Sequence, residues 1–302
     1  MTPEVSVIIP AFNRRAMLLE AIDSVLAQSI RDFELIVIDD GSTDGTAEHL
    51  TRLADTIRIE RIGHSGPAAA RNRGVAMARA PLIAFLDSDD LWSPTRLERQ
   101  LAFMRANPAC GISQTNEIWI RNGRRVNPGL RHRKRAGDIF VDSLRTCLIS
   151  MSATMMRTDL FRSLGGFDEL MTAAEDYDLW LRILIDHEAG LLDEPLVTRR
   201  GGHPDQTSAT TPALDRFRIL ALTKLLADDR LSEARRAAVV EVLIEKCRIY
   251  AGGLARRGRI DDARMYEAVA DRARNWNKSS TPEIGCTIHS MRSALRDLQH
   301  ER

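Results

Sequence analysis

Leu82-Ile83-Ala84-Phe85-Leu86-Asp87-Ser88-Asp89-Asp90 changes character in the middle, where an unbroken apolar run gives way to three carboxylates. A short apolar run without polar alternation suits a strand covered on both faces, as in a parallel sheet between helices. The carboxylates then stand at the carboxyl edge of that sheet, where open α/β sheets bind ligands. Two like charges 4 Å apart repel by roughly 4 kcal/mol at an effective dielectric of 20. A strand that delivers Asp87 and Asp89 together therefore needs a compensating cation, and hard oxygen ligands suit Mn2+ or Mg2+. Asp90 and Ser93 equally suit the cap of a helix beginning near Pro94.

The segments before this stretch repeat the pattern. Residues 5–9 are apolar and β-branched and end at Pro10; Asn13 is placed to cap a helix from Arg14, with Leu18, Ile22 and Val25 on one face. A second strand, 33–38, ends in Asp39-Asp40-Gly41-Ser42, followed by a helix over 43–54 and a third strand over 57–62. Gly66-Pro67 opens another helix, and 94–107 is amphipathic. Alternating strands and helices predict an α/β fold, a mostly parallel sheet flanked by helices. Asn13, Asp39-Asp40 and Asp87–Asp90 should meet in one cleft, although long stretches of chain separate them.

Beyond residue 110 the pattern changes. Residues 117–121 and 124–126 flank Asn122-Gly123, a strong hairpin signal. A helix is expected near 138–146, a strand over 152–156, a short helix ending at Gly165-Gly166, a firm amphipathic helix over 176–187 that buries Trp180, and a strand over 191–197. From residue 212 only helices are expected, at 212–227, 232–257 and 261–275. A loose polar tail after Asn277 carries a short helix at 288–299. This divides the chain into an α/β domain, 1–211, and a helical C-terminal region, 212–302.

The 302 residues carry a net charge of +1, from 43 basic and 42 acidic side chains, so no global field holds the chain on nucleic acid or an anionic membrane. No nucleic-acid partner is expected. Cys110, Cys147, Cys247 and Cys286 form no C-x-x-C pair and read as free thiols of a reducing compartment. No apolar run reaches the roughly 18 residues of a membrane span. The N-terminus lacks a basic segment before an apolar one, so no signal peptide is expected. These features favour a soluble, cytoplasmic protein.

Several side chains suit chemistry and also suit plainer roles. Asp39, at a strand end before Gly41-Ser42, can accept hydrogen bonds from a nucleobase or ribose, or can form a turn. Arg71, in Gly66-Pro67-Ala68-Ala69-Ala70-Arg71-Asn72-Arg73-Gly74, suits a base or phosphate contact; Arg73 is as easily a solvated helix residue. Glu175 and Asp176 open a helix whose dipole favours their ionised forms, and acids are good first-turn residues in any case. His203, after Gly201-Gly202, suits a third metal ligand or a phosphate contact. Arg121, Arg124, Arg125, Arg131, Arg133, Lys134 and Arg135 lie in a stretch with no acidic residue. Such a stretch suits an anionic acceptor, a diphosphate-lipid or membrane headgroups, or is simply solvated.

V-S-V-I-I-P-A-F-N-R, D-D-G-S-T-D, G-x-x-x-A-R-N-R-G, F-L-D-S-D-D and A-E-D-Y-D-L-W-L-R, in this order over about residues 4–200, resemble the family 2 glycosyltransferases of the GT-A fold. The resemblance implies a metal-dependent, inverting transfer of sugar from a nucleoside diphosphate sugar, UDP favoured, to a hydroxyl acceptor. Its setting would be bacterial-type surface polysaccharide or glycoconjugate synthesis. It further implies that Asp39 and Arg71 hold the base, with Pro10, Phe12, Asn13, Asp40, Asp87 and Ser88 around the donor. Asp89 would bind the ion, with Asp87 and His203 as further ligands. Asp176 would be the general base, with Glu175 beside it. The acceptor is left open, lipid-linked or anionic, and 121–135 would make a peripheral contact at the inner face of a membrane. A nucleotidyltransferase of similar fold would want a glycine-rich loop where Pro10-Ala11-Phe12-Asn13-Arg14 stands, and a NAD-dependent dehydrogenase would want G-x-G-x-x-G there. A non-catalytic module using the basic stretch would leave the carboxylates without a task.

Overall fold

Val5–Ala11 (β1) is buried along its whole length, and the sheet is built around it. The structure is a computed structural model and describes residues 2–203, 206, 214–276 and 285–293. After β1 come α1 (Arg15–Leu26), β2 (Phe33–Asp39), α2 (Thr46–Thr51), β3 (Arg58–Arg61), α3 (Pro67–Met77), β4 (Leu82–Phe85), β5 (Leu91–Trp92) and α4 (Arg96–Ala106). Then follow β6 (Ile112–Arg121), β7 (Arg124–Val126), α5 (Phe140–Arg145), β8 (Thr154–Arg157), α6 (Thr158–Ser163), α7 (Glu175–Leu184) and β9 (Ala189–Gly201). The C-terminal region contributes α8 (Asp215–Leu226), α9 (Glu233–Arg256) and α10 (Ile260–Arg274), and 285–293 is helical.

The strands form a nine-stranded sheet in the order β3-β2-β1-β4-β8-β6-β9-β5, with β7 paired to β6. β1 to β4 run parallel, and β8 inserts antiparallel between β4 and β6. Alternation along β1 splits the core in two. Val5, Val7 and Ile9 pack with Leu18 and Ile22 of α1 and Leu97 and Leu101 of α4. Ile8 points the other way, into a cluster with Phe85, Phe161, Trp180, Leu220 and Leu243. The C-terminal helices thus share a core with α7 and the sheet. Gly74 lets α3 lie directly on β1, because a Cβ there would come within 2.5 Å of Ile8 Cγ2.

The α/β expectation holds, with local corrections. Asn13 does not cap α1: its φ is 49°, and its Oδ1 accepts from the Thr43 amide at 2.7 Å. Asp44 takes that task, accepting from the Arg15 amide at 3.0 Å. Asp44 also accepts from the Thr46 amide at 3.1 Å, which makes α2 start late and stay short. β5 was not legible, being two residues long and set by its pairing with β9. The Asn122-Gly123 hairpin forms as read, with φ of 50° and 72°, the left-handed pair such a turn requires. The four cysteines are free thiols. No helix among the described residues is long and apolar enough to cross a membrane. The expected boundary at 211/212, the stretch 277–284 and the end of the helix expected over 288–299 lie outside the described residues.

Candidate active site

β4 ends one residue short of the acidic run, so Asp87, Asp89 and Asp90 leave the sheet on the turn that leads to β5. One ligand oxygen from each lies within 4.8 Å of the others. Asp90 is fixed from both sides, its Oδ2 accepting from Ser152 Oγ at 2.6 Å and its Oδ1 from the Arg200 amide at 2.8 Å. Burial, then the charges of Asp89 and Asp87, hold Asp90 well above the usual carboxylate range. Asp89 is also raised, by burial and by Asp87, against the pull of Arg14 and His203. Its Oδ2 lies 2.7 Å from Arg14 Nη1 and 2.9 Å from His203 Nε2. Asp87 is the most accessible of the three, with 34% of its side chain exposed. Ser88 is buried between them. Oxygen donors crowded to this degree, with two of the acids pushed toward protonation by burial and by neighbouring carboxylates, fit a hard divalent cation.

Arg71 carries the cluster across to α7. This nearly buried guanidinium donates through Nη2 to Asp87 Oδ1 at 2.7 Å and through Nη1 to Glu175 Oε1 at 2.6 Å. Burial works against its charge, but Asp87 and Glu175 outweigh it and hold the cation above its ordinary pKa. Burial raises Glu175, with Arg71 pulling the other way. Asp176, next on the helix, is half-buried and less committed. Its Oδ1 accepts from the Tyr177 amide at 2.7 Å, and Cys147 Sγ lies 3.6 Å from its Oδ2. Burial and the Asp176 charge keep Cys147 a neutral thiol.

At the ends of β1 and β2 a second group forms. Asp39 is fully buried; its Oδ1 accepts from the Ser42 amide at 2.9 Å, and Arg61 Nε lies 3.4 Å from its Oδ2. Asp40 is occupied by the loop before α3, accepting from the amides of Ser65 at 2.7 Å and Gly66 at 2.9 Å and contacting His64 Nδ1 at 2.9 Å. Phe12 lies partly exposed and stacks on His64, ring centroids 3.9 Å apart. Pro10 is buried within β1.

The expected residues therefore gather as two groups, Asp39 with Phe12 and Asn13, and Asp87 to Asp90 with Arg71, Glu175 and His203. Arg71 sits in the second group, tied to carboxylates. Asp168, in the loop before α7, is held by Lys224 at 2.8 Å and Arg292 at 2.6 Å. The basic stretch divides. Lys134 is buried against Glu117 at 3.1 Å and Arg135 pairs with Asp142 at 2.5 Å, while Arg121, Arg124, Arg125, Arg131 and Arg133 are exposed. Four residues were not singled out from the sequence: Arg14, Ser152, Glu117 and Arg199. Only Arg14 had a local signal, standing directly after Asn13.

The family described as "Glycosyl transferase family 2" matches residues 6–165. An uncharacterized glycosyltransferase of Rickettsia felis is 38% identical over 196 residues, covering 64% of this chain and 32% of its own length. The chain thus spans about a third of the length of the first curated relatives it matches. The Escherichia coli UDP-Glc:alpha-D-GlcNAc-diphosphoundecaprenol beta-1,3-glucosyltransferase WfgD is 32% identical, covering 63% of this chain and 73% of its own. Among solved structures, S. aureus TarS 1-349 in complex with UDP-GlcNAc superposes with a TM-score of 0.68 over 99% of this chain and 92% of that one, at 19% identity.

Proposed function

The chain belongs to glycosyl transferase family 2, and from that premise we propose that it moves a sugar from a nucleoside diphosphate sugar to a hydroxyl acceptor with inversion, in surface polysaccharide or glycoconjugate synthesis. The observation that carries the reading is Arg71, which joins the carboxylates after β4 to the acids that open α7. A donor-side acidic cluster and an acceptor-side acid are thereby held one side chain apart.

In this reading Asp39 accepts from the nucleobase and Phe12, layered on His64, offers it an aromatic face. Asn13 and Pro10 shape the strand end beneath, and Asp40 holds the loop in front of α3. Asp87 and Asp89, with His203 beside them, would hold a Mn2+ or Mg2+ ion. Such an ion, when bound, stabilises the charge that develops on the leaving diphosphate. Arg71 positions Asp87 and Glu175 rather than reading the base. Asp176 accepts the proton from the attacking hydroxyl, while Glu175 is anchored to Arg71. One base on the face opposite the leaving group gives inversion. UDP is favoured as the nucleotide: the name of WfgD specifies UDP-Glc, and TarS was crystallised with UDP-GlcNAc. The exposed arginines of 121–135 support contact with an anionic acceptor or headgroup. Residues 1–211 form the catalytic region in this reading, and 212–302 a helical appendage.

The test is a thermal-shift panel of UDP, GDP, dTDP and CDP sugars with and without Mn2+. A nucleotide at 100 times its Kd stabilises by about 2.7 kcal/mol. A shift confined to UDP sugars plus metal is expected. No shift with any sugar nucleotide in the presence of metal would overturn the reading.

A further inference from the structure

Trp119 of β6, Arg199 of β9 and His132 form one layered group. The Arg199 guanidinium lies over the indole, 5.0 Å from its centroid, and the His132 ring lies 5.3 Å from the same indole. The register explains it, because Trp119 and Arg199 are direct partners in the parallel pair β6–β9 and share a face. Glu117 organises the group from below. Its Oε1 accepts from Trp119 Nε1 at 2.7 Å, and its Oε2 accepts from the buried Lys134 ammonium at 3.1 Å.

That occupies Glu117 and leaves Arg199 with little. The Arg199–Glu117 ion pair is long, 3.8 Å, and the Arg199 side chain makes no hydrogen bond among the described residues while 43% of it is exposed. A guanidinium lying over an indole, with side-chain N–H groups that make no hydrogen bond among the described residues, suits a planar or tetrahedral oxyanion. Arg131 adds charge, its Nε donating to His132 Nε2 at 3.0 Å. Arg121, one strand repeat beyond Trp119, lies on the same face and is exposed. The next residue of β9, Arg200, holds Asp90 through its amide, so this face adjoins the carboxylates. Burial opposes the charge of Arg199, but Glu117, and after it Asp90, Asp87 and Asp176, outweigh burial and hold Arg199 above its ordinary pKa.

We propose that the face of Arg199, Trp119 and His132, extended by Arg131 and Arg121, is the receptor for a phosphate or diphosphate carried by the acceptor, seated so that the acceptor hydroxyl reaches Asp176. This rests on the glycosyltransferase reading, and it names the chemistry of the acceptor. The carboxylates repel anions and would exclude such an acceptor without a cationic face beside them. Arg199, which feels the charges of Asp87, Asp90 and Asp176, supplies that face.

The full chain in EDTA is titrated with inorganic pyrophosphate by calorimetry. In parallel it is sedimented with phosphatidylcholine vesicles carrying either a prenyl diphosphate or phosphatidylglycerol at matched charge. Without metal, Asp87, Asp89 and Asp90 disfavour pyrophosphate, so the signal reports the arginine face. Binding to pyrophosphate and to prenyl diphosphate vesicles is expected, and Arg199→Gln should weaken both by about tenfold to a hundredfold. Arg199→Lys, which keeps the charge and loses the fork, should fall between. Loss on the lipid alone identifies a lipid-borne diphosphate as the source. Equal loss on both identifies the phosphate itself. Wild-type affinity in an Arg199→Gln variant of unchanged melting temperature overturns the proposal, as does an equal loss on phosphatidylglycerol vesicles. The donor reading fails separately, by absence of a metal-dependent sugar-nucleotide shift in the wild type.

Discussion

The two ends of the sheet hold their charges by opposite means. Around β1, β2 and β4 the acids are pinned largely by backbone amides and small hydroxyls: Asp39 by Ser42, Asp40 by Ser65 and Gly66, and Asp90 by Ser152 and the Arg200 amide. Around β6, β9 and α7 the charged groups hold one another, Glu117 with Lys134, Asp168 with Lys224 and Arg292, and Glu175 with Arg71. A backbone-pinned acid such as Asp90 keeps its place beside other negative charges, while Asp87 is balanced by Arg71 and Asp89 by Arg14 and His203. A side-chain network keeps its shape only while every member is present. The first arrangement suits a cation site and the second suits a surface adapted to one acceptor.

Substitutions at the proposed metal ligand and the proposed base should abolish function without unfolding the chain. Asp89→Asn is expected to remove transfer altogether together with metal-dependent nucleotide binding, read as kcat and donor Kd. Retained metal-dependent binding would break the comparison by moving the cation elsewhere. Asp176→Asn keeps shape and loses basicity, so its loss of about 10²–10⁴-fold should fall on kcat rather than on donor Kd. A near wild-type rate would reduce Asp176 to a helix-start residue.

Substitutions on the networked side should cost stability. Arg71→Met strands Glu175 in a buried place and should destabilise by about 3–5 kcal/mol, measured by urea unfolding. Asp168→Asn loosens Lys224 of α8 and Arg292, and should cost about 1–3 kcal/mol, with faster amide exchange in α8. An Asp168→Asn variant as stable as the wild type would show that α8 is held by its apolar face and by the Lys224–Asp178 pair.

The fold of the first half was legible because its signals are local. An apolar run, a carboxylate and a glycine lie within a few residues, and each such unit is one strand end. Asp39, Asp87 and Asp89 could therefore be placed before any contact was known. The second half depends on partners far apart in the chain. Arg71 meets Glu175 across 104 residues, and nothing near either one announces it. Lys134 reads as one more charge in a solvated basic stretch, yet it is buried on Glu117 17 residues away. Nothing near Asp168 announces its partners, which come from α8 and from residue 292. Even the Asn13 cap failed for this reason, since Asp44 arrives from the next loop to take the amide.

The smallest expected effect is a shared acid sensitivity. Burial pushes Glu34 up, but Ser6, the Arg79 amide, Arg58 and Arg79 outweigh it and hold Glu34 below its usual 4.5. Asp168 is held below its usual 3.8 by Lys224 and Arg292, again against burial. A carboxylate with a lowered folded-state pKa contributes stability above its unfolded pKa and loses it as pH falls through the folded one. Urea midpoints should be flat near neutrality and drop below about pH 4. Glu34→Gln should flatten part of that drop at the β2 end, and Asp168→Asn part of it at the α8 end. A fall unchanged in both variants would assign the acid loss to other groups.

Arg71 also sets up a thermodynamic linkage. The oxygen that receives its Nη2, Asp87 Oδ1, is one that a cation at the β4 turn would seek, so cation and guanidinium compete for it. Whatever loosens Arg71 from Asp87 leaves more of its charge for Glu175. By reciprocity, protonating Glu175 must change cation affinity by the same factor that the cation changes the proton affinity of Glu175. The two sides of the sheet would then report on each other through one side chain, and occupancy at β4 would be felt at the start of α7 without any movement of the backbone.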